Sequence, residues 1–235
     1  MSKISIIIPV YNEVNTIEKI VNKILKKNKR LSKEIILIDD ASSDGTKDII
    51  QNKLIKKLDT LIFHKTNKGK GAAIKSGKNF FKGDIVIIQD ADLEYDPGDY
   101  LKLIKPIINL QAKVVYGSRV LGKKRYRAKN FISLSRVFFN HVLTIFSNVI
   151  NNQKLTDAHT CYKVFSSDIF KKIKLEENGF SFCPEVTTKI SNMGINIMEV
   201  PIKYNGRSFN KGKKITYKDG FKAIFALIKY KYIKN

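Results

Sequence analysis

Apolar and polar residues follow two rhythms along the first half of the chain. Short apolar runs at Ile4–Val10, Glu34–Asp39, Leu61–His64, Asp84–Gln89 and Lys113–Tyr116 predict buried strands, the first closed by Pro9. Between the first two, Val14, Ile17, Ile20, Val21, Ile24 and Leu25 recur at helical spacing, and Asn12 or Asn15 is placed to cap that helix. Ile49, Ile50, Leu54 and Leu58 predict a second helix, residues 72–81 a third, and Pro97 opens a fourth that reaches Leu110. Strictly alternating strands and helices predict a mostly parallel sheet covered on both faces.

After Gly117 the rhythm changes. Residues 132–150 form a long helix candidate rich in Phe, Val and Ile but carrying Arg136, Asn140, His141 and Asn148. It is too polar to span a bilayer, yet apolar enough to pack in a core or lie on a membrane. Residues 162–165 and 196–200 read as later strands, with a helix over 184–193 between them. The segment 219–233 alternates Phe221, Ile224, Phe225, Leu227 and Ile228 with lysines. No repeat or linker interrupts the chain, which predicts one domain over 1–235, with halves 1–118 and 119–235.

Composition narrows the class. Two cysteines, Cys161 and Cys183, make no disulfide scaffold, no apolar run reaches about 18 residues, and the first residues lack a signal-peptide layout. A cytoplasmic protein is expected. The formal charge of +23 splits unevenly: residues 1–100 carry +4 and residues 101–235 carry +19. A basic second half suits an anionic partner such as a phosphate headgroup or an anionic membrane surface. No zinc-finger spacing or RNA-binding signature is present, so nucleic acid is not expected.

Three predicted strands end in polar clusters: Pro9–Glu13, Asp39–Asp44 and Asp90–Glu94. Ligands of open parallel sheets bind beyond the carboxyl ends of strands. Asp90, Asp92 and Glu94 sit at alternate positions, where mutual repulsion is relieved by a hard divalent cation, Mg²⁺ or Mn²⁺. His64, His141 and His159 are scattered, which argues against zinc. The loop Asn67–Gly71 leaves two readings open: amides that face phosphate, or glycines that permit close packing.

In this order and spacing, IIIPVYNE, LIDDASSDGT, NKGKGAAIKSG and QDADLEYDP resemble the nucleotide-sugar half of glycosyltransferase family 2. YGSR (116–119), LSR (134–136), LTDAHTCYKVF (155–165), FSFCPEVTTKI (180–190) and VPIKYNGRSFNKGKKI (200–215) resemble the branch that uses polyprenyl phosphates. The resemblance implies a GT-A-like α/β fold and metal-dependent, inverting transfer from a GDP- or UDP-sugar to a polyprenyl phosphate at the cytoplasmic membrane face. It also implies roles for individual residues. Pro9, Tyr11, Glu13, Ile38 and Asp40 match positions that hold base and ribose. Asp90, Ala91 and Asp92 match the metal-diphosphate motif, with Glu94 beside it. Arg119, Arg136, Arg207, Lys213 and Lys214 match basic positions for the acceptor phosphate or donor diphosphate. His159 departs from the acidic residue familiar there in bacterial relatives. Two alternatives stay open: a hydroxyl acceptor, with Asp157 as base, and a non-catalytic basic module that keeps only the fold.

Overall fold

The computed structural model of the protein describes residues 2–122, 131–206 and 217–233. The first half alternates as expected: β1 (Ile4–Val10), α1 (Ile17–Lys26), β2 (Lys33–Asp39), α2 (Thr46–Ile49), β3 (Thr60–Phe63), α3 (Lys70–Lys78), β4 (Ile85–Ile88), α4 (Tyr100–Ile108) and β5 (Val114–Ser118). Then follow α5 (Phe131–Asn151), β6 (Lys163–Ser166), α6 (Ser167–Lys172), α7 (Phe182–Asn192), β7 (Met198–Pro201) and α8 (Tyr217–Ile228). Among the described residues, seven strands form one sheet in the order β3-β2-β1-β4-β6-β5-β7. All neighbouring pairs are parallel except those of β6, which runs antiparallel to β4 and β5.

Strands buried on both faces are nearly continuous apolar runs: β4 is IVII, β1 departs from this only at Ser5, and β2 keeps its charged residues at its two ends. Pro9 is tolerated in central β1 because of where β4 stops. The Ile7 carbonyl faces β4 and accepts the Gln89 amide at 3.0 Å. Pro9, two residues on, faces the same side beyond the final Ile7↔Ile88 pair, so its missing N–H breaks no ladder bond.

Two local expectations change. Thr16, rather than Asn12 or Asn15, stands at the N-cap of α1, and Glu13 braces that start: its carbonyl takes the Thr16 and Ile17 amides and its carboxylate the Thr16 hydroxyl at 2.6 Å. The second predicted helix is a single α turn followed by a π turn at Ile50–Leu54 and a 3₁₀ turn at Ile55–Lys57. This irregular winding keeps both Ile50 and Leu54 fully buried while Ile55 is left exposed.

The second half braces the first. Helix α3 meets the backbone of residues 177–178, where the Ala72 amide donates to the Asn178 carbonyl at 3.0 Å. A Cβ at Gly71 would overlap the Glu177 carbonyl oxygen, and one at Gly69, whose φ is +97°, would lie 2.5 Å from the Asn178 oxygen. Backbone cannot swing aside as a side chain can. Gly71→Ala is therefore expected to cost about 1–3 kcal/mol by overpacking. Gly194→Asn, at a φ of +70° with nothing within 4 Å, should cost only a few tenths because Asn tolerates that region. Denaturant midpoints of the two variants check the contrast.

Candidate active site at the carboxyl edge of the sheet

The parallel strands β1, β2 and β4 deliver three loops to one edge. The first two are stitched together. The Asn12 amide donates to Ser42 Oγ at 2.9 Å, the Ser43 amide to Asn12 Oδ1 at 2.8 Å, and the Glu13 amide to Thr46 Oγ1 at 2.9 Å. Asn12 adopts φ +53°, a conformation Asn accepts more readily than most residues. Pro9 and Tyr11 remain partly exposed on this edge, whereas Ile38 is buried in the core beneath Gly77 of α3.

Asp40 is spent inside the protein. Its carboxylate accepts the Lys68 amide at 3.0 Å and the Gly69 amide at 2.7 Å, and lies 2.6 Å from His64 Nδ1. The residue is 2% exposed. Of the two readings of Asn67–Gly71, this geometry selects close packing for Lys68 and Gly69, because their amides are bound to Asp40. Its neighbour Asp39, which the sequence places in the same polar cluster without a role of its own, is the more telling group. Asp39 is 1% exposed; one oxygen accepts the Ser42 amide at 3.2 Å and Oδ1 has no hydrogen-bond partner. A buried carboxylate oxygen without a donor is costly and suits a ligand N–H or O–H. The signal was the doublet itself, since consecutive strand-end residues point to opposite sides.

The third loop carries the carboxylates. Gln89 fixes its start by donating to the Asp90 carbonyl at 2.9 Å while accepting the Tyr100 and Tyr162 hydroxyls, both at 2.7 Å. Asp90 Oδ1 pairs with Lys70 Nζ at 2.5 Å, and Lys70 Nζ also lies 3.4 Å from Cys161 Sγ. Burial opposes the Lys70 charge, but Asp90 outweighs it and holds the ammonium pKa well above its ordinary value. Ala91 is buried. Asp92 Oδ1 accepts the Glu94 amide at 3.0 Å across Leu93, whose φ is +64°. Glu94 is engaged elsewhere: its Oε2 accepts the Tyr204 hydroxyl at 2.7 Å and its carbonyl the Asn205 amide at 2.9 Å. Among the described residues no three His, Cys, Asp or Glu side chains gather as a metal-holding group. Asp90 and Asp92 are hard oxygen donors, and such a pair fits a divalent cation whose remaining ligands are phosphate and water oxygens.

Arg119 follows β5 and is clamped. Its Nε and Nη2 donate to the two Asp157 oxygens, each at 2.7 Å, and its amide donates to Oδ2 at 3.0 Å. Its guanidinium carbon sits 5.2 Å from the centre of the Tyr204 ring. Burial disfavours charge on Asp157, but the guanidinium prevails and holds its carboxyl below the usual range. The loop before β6 is held in turn by Glu199 of β7, which takes the Thr156 amide at 2.7 Å and the Asp157 amide at 2.9 Å. Bonds thus run from Glu94 to Tyr204, whose ring backs Arg119, and on through Asp157 to Glu199. His159 Nε2, in the same loop, is buried without a hydrogen-bond partner. Burial, reinforced by the Lys163 charge, pulls the His159 pKa down to about 4. Arg207, Lys213 and Lys214 lie outside the described residues, as does the side chain of Arg136 on α5.

This arrangement was compared with known proteins. The model of glycosyl transferase family 2 matches residues 5–174. The chain is 30% identical to the UDP-N-acetylglucosamine–dolichyl-phosphate N-acetylglucosaminyltransferase of Methanococcus voltae, over 97% of this chain and 96% of that one. It is 26% identical to the undecaprenyl-phosphate mannosyltransferase of Micrococcus luteus, over 88% and 85%. In structure it resembles glucosyl-3-phosphoglycerate synthase from Mycobacterium tuberculosis, solved with Mn²⁺, UDP and phosphoglyceric acid. That likeness has a TM-score of 0.73 at 17% identity, over 100% of this chain and 80% of that one, and identifies the GT-A-like fold. A site built at the carboxyl edge of a parallel sheet, the family match and the full-length relatives agree: the chain belongs to glycosyltransferase family 2.

Proposed function

We propose that the protein transfers a sugar from a nucleotide diphosphate sugar to a polyprenyl phosphate at a membrane surface, with inversion at the anomeric carbon. One observation carries the reading: a charged, clamped guanidinium stands beside the carboxylate loop, where an anionic acceptor has to be received. Relatives named for dolichyl-phosphate and undecaprenyl-phosphate transfer support the acceptor class.

The chemistry follows from the groups present. An oxygen of the acceptor phosphate attacks the anomeric carbon as the bond to the nucleotide diphosphate breaks, and the diphosphate leaves with the electron pair. A phosphate is already anionic near neutral pH, so it needs orientation rather than a base. Asp157 is bound on both oxygens by Arg119, and Glu185 is fully buried, accepting the Glu176 and Glu177 amides and pairing with Lys189. Neither is placed to act as a base, which disfavours the hydroxyl-acceptor alternative. Asp90 and Asp92 would hold a divalent cation, which when bound offsets the charge developing on the diphosphate. Lys70 adds a fixed positive charge at the same carboxylates. The orphan oxygen of Asp39 suits a donor on the nucleotide base.

Among the described residues, no helix is long and apolar enough to cross a membrane. Contact with one is assigned instead to exposed apolar side chains on α8 and α5. Phe221 and Phe225 are 74% and 63% exposed, and Phe138, Phe139 and Val149 are also exposed. Lys222 and Lys231 flank the α8 face, an arrangement suited to an anionic interface.

Four outcomes test the proposal. Purified protein with Mg²⁺ or Mn²⁺, short polyprenyl phosphate and separate labelled GDP- and UDP-sugars should move label into the organic phase with at least one donor. Asp92→Ala should lower that rate by about a hundredfold or more; transfer to no lipid phosphate from any donor sinks the reading. In pH profiles, His159 is neutral above about pH 4. The acid limb should therefore lie near pH 6, where a phosphate monoester takes up its second proton, and should be unmoved in His159→Asn. A limb that disappears with His159 contradicts this. The Phe221→Ser/Phe225→Ser double variant should lose sedimentation with anionic vesicles while keeping transfer to detergent-dispersed acceptor.

A further inference from the structure

Lys163 of β6 is an anomaly for a sheet interior. It is fully buried, and its partners are two carbonyls and a ring rather than a carboxylate. Its Nζ donates to the Thr160 carbonyl at 2.6 Å and the Ala158 carbonyl at 3.1 Å, and it sits 4.1 Å from the centre of the ring of Tyr116, its cross-strand partner on β5. Burial pulls its pKa below the ordinary lysine value. A methionine would fill similar space with no ion to desolvate, so stability alone does not account for an ammonium there.

What the ammonium touches gives it a use. Residues 152–162 join α5 to β6, and this loop carries the Asp157 that clamps Arg119 and the Cys161 that lies against Lys70. Its outer side is held by Glu199, through the Thr156 and Asp157 amides. Its inner side is held by Lys163, through the carbonyls at 158 and 160. Asp157 is held by Glu199 at its own amide, and the first carbonyl held by Lys163 belongs to the next residue. Removing the ammonium would orphan two buried carbonyls next to the residue that aims the guanidinium.

We propose that Lys163 is a positioning residue: through the 158 and 160 carbonyls it fixes the loop that holds Asp157, and so sets the direction of Arg119 toward the acceptor phosphate. The inference rests on the proposed phosphate-directed role of Arg119. It predicts that Lys163 and Asp157 act as one unit.

A double-mutant cycle with Lys163→Met and Asp157→Asn tests this, with Lys163→Gln, which keeps one donor, as the second variant should the Met protein not fold. Lys163→Met should lower kcat/KM for the lipid phosphate by about tenfold or more in the native background, and by less than about threefold when Asp157 is already Asn. A residue that only supports the fold would lower Tm and leave the kinetic constants of the folded protein in place. Independently of activity, the Arg119 Nε–H resonance, assigned by its loss in Arg119→Lys, should lose protection from solvent exchange in the Lys163 variants. Equal fold losses in both backgrounds, or an unchanged Nε–H resonance, would overturn the proposal. Absence of lipid-phosphate transfer by the wild-type protein would instead refute the functional reading, and the Nε–H resonance would still decide the role of Lys163.

Discussion

The site depends on the ion pair between Arg119 and Asp157. Both side chains are largely withdrawn from water, 18% and 6% exposed, and two such charges are stable only when geometry and further hydrogen bonds offset their lost hydration. Here the carboxylate takes both donors of one guanidinium edge and a backbone amide, while the Tyr204 ring covers the cation. The constraint reaches outward. Arg119 follows β5, Asp157 precedes β6, Glu199 lies on β7, and Tyr204 ties the assembly to Glu94 in the carboxylate loop. One pair therefore joins the loops after β5 and before β6, and Tyr204 links them to the carboxylate loop of the first half.

The carboxylate side solves a different problem. Asp39, Asp40, Asp90, Asp92 and Glu94 crowd one sheet edge, where unrelieved repulsion between carboxylates would be costly. The fold disperses it by giving three of them partners of different kinds. Asp40 takes backbone amides, Asp90 takes Lys70, and Glu94 takes a tyrosine hydroxyl. In the proposed function Asp90 and Asp92 supply oxygen donors to a cation, and the unpartnered Asp39 oxygen meets a ligand donor. The basic excess of the second half has a similar division: Arg119 is committed to the site, whereas Lys222 and Lys231 flank the apolar face of α8.

Much of this was legible in the sequence, for identifiable reasons. Buried parallel strands must be nearly continuous apolar runs, so Ile4–Val10 and Glu34–Asp39 could be placed within a residue or so. The motif resemblance singled out Asp90, Asp92 and Arg119, which the fold carries in the loops that follow β4 and β5. Periodicity could not foresee the π turn at Ile50–Leu54, because apolar residues at 49, 50, 54 and 58 suit several windings. Nor could a motif separate Asp39 from Asp40, whose roles depend on which side of the strand end each faces. The antiparallel course of β6 was hidden for the same reason, since its partners lie far away in β4 and β5; the anchoring of Lys163 was hidden because its bonds go to backbone carbonyls of a neighbouring loop, which no side-chain pattern reveals.

The central claim is that the nucleophile is an acceptor phosphate, ionised before it arrives and aimed by Arg119 rather than deprotonated by a carboxylate. The most direct measurement offers the protein, with one active donor and a divalent cation, equal concentrations of a polyprenyl phosphate and the polyprenol of the same length, and identifies the products by mass. The account predicts glycosylated polyprenyl phosphate alone. Comparable transfer to the polyprenol would contradict it and return Asp157 to the role of base.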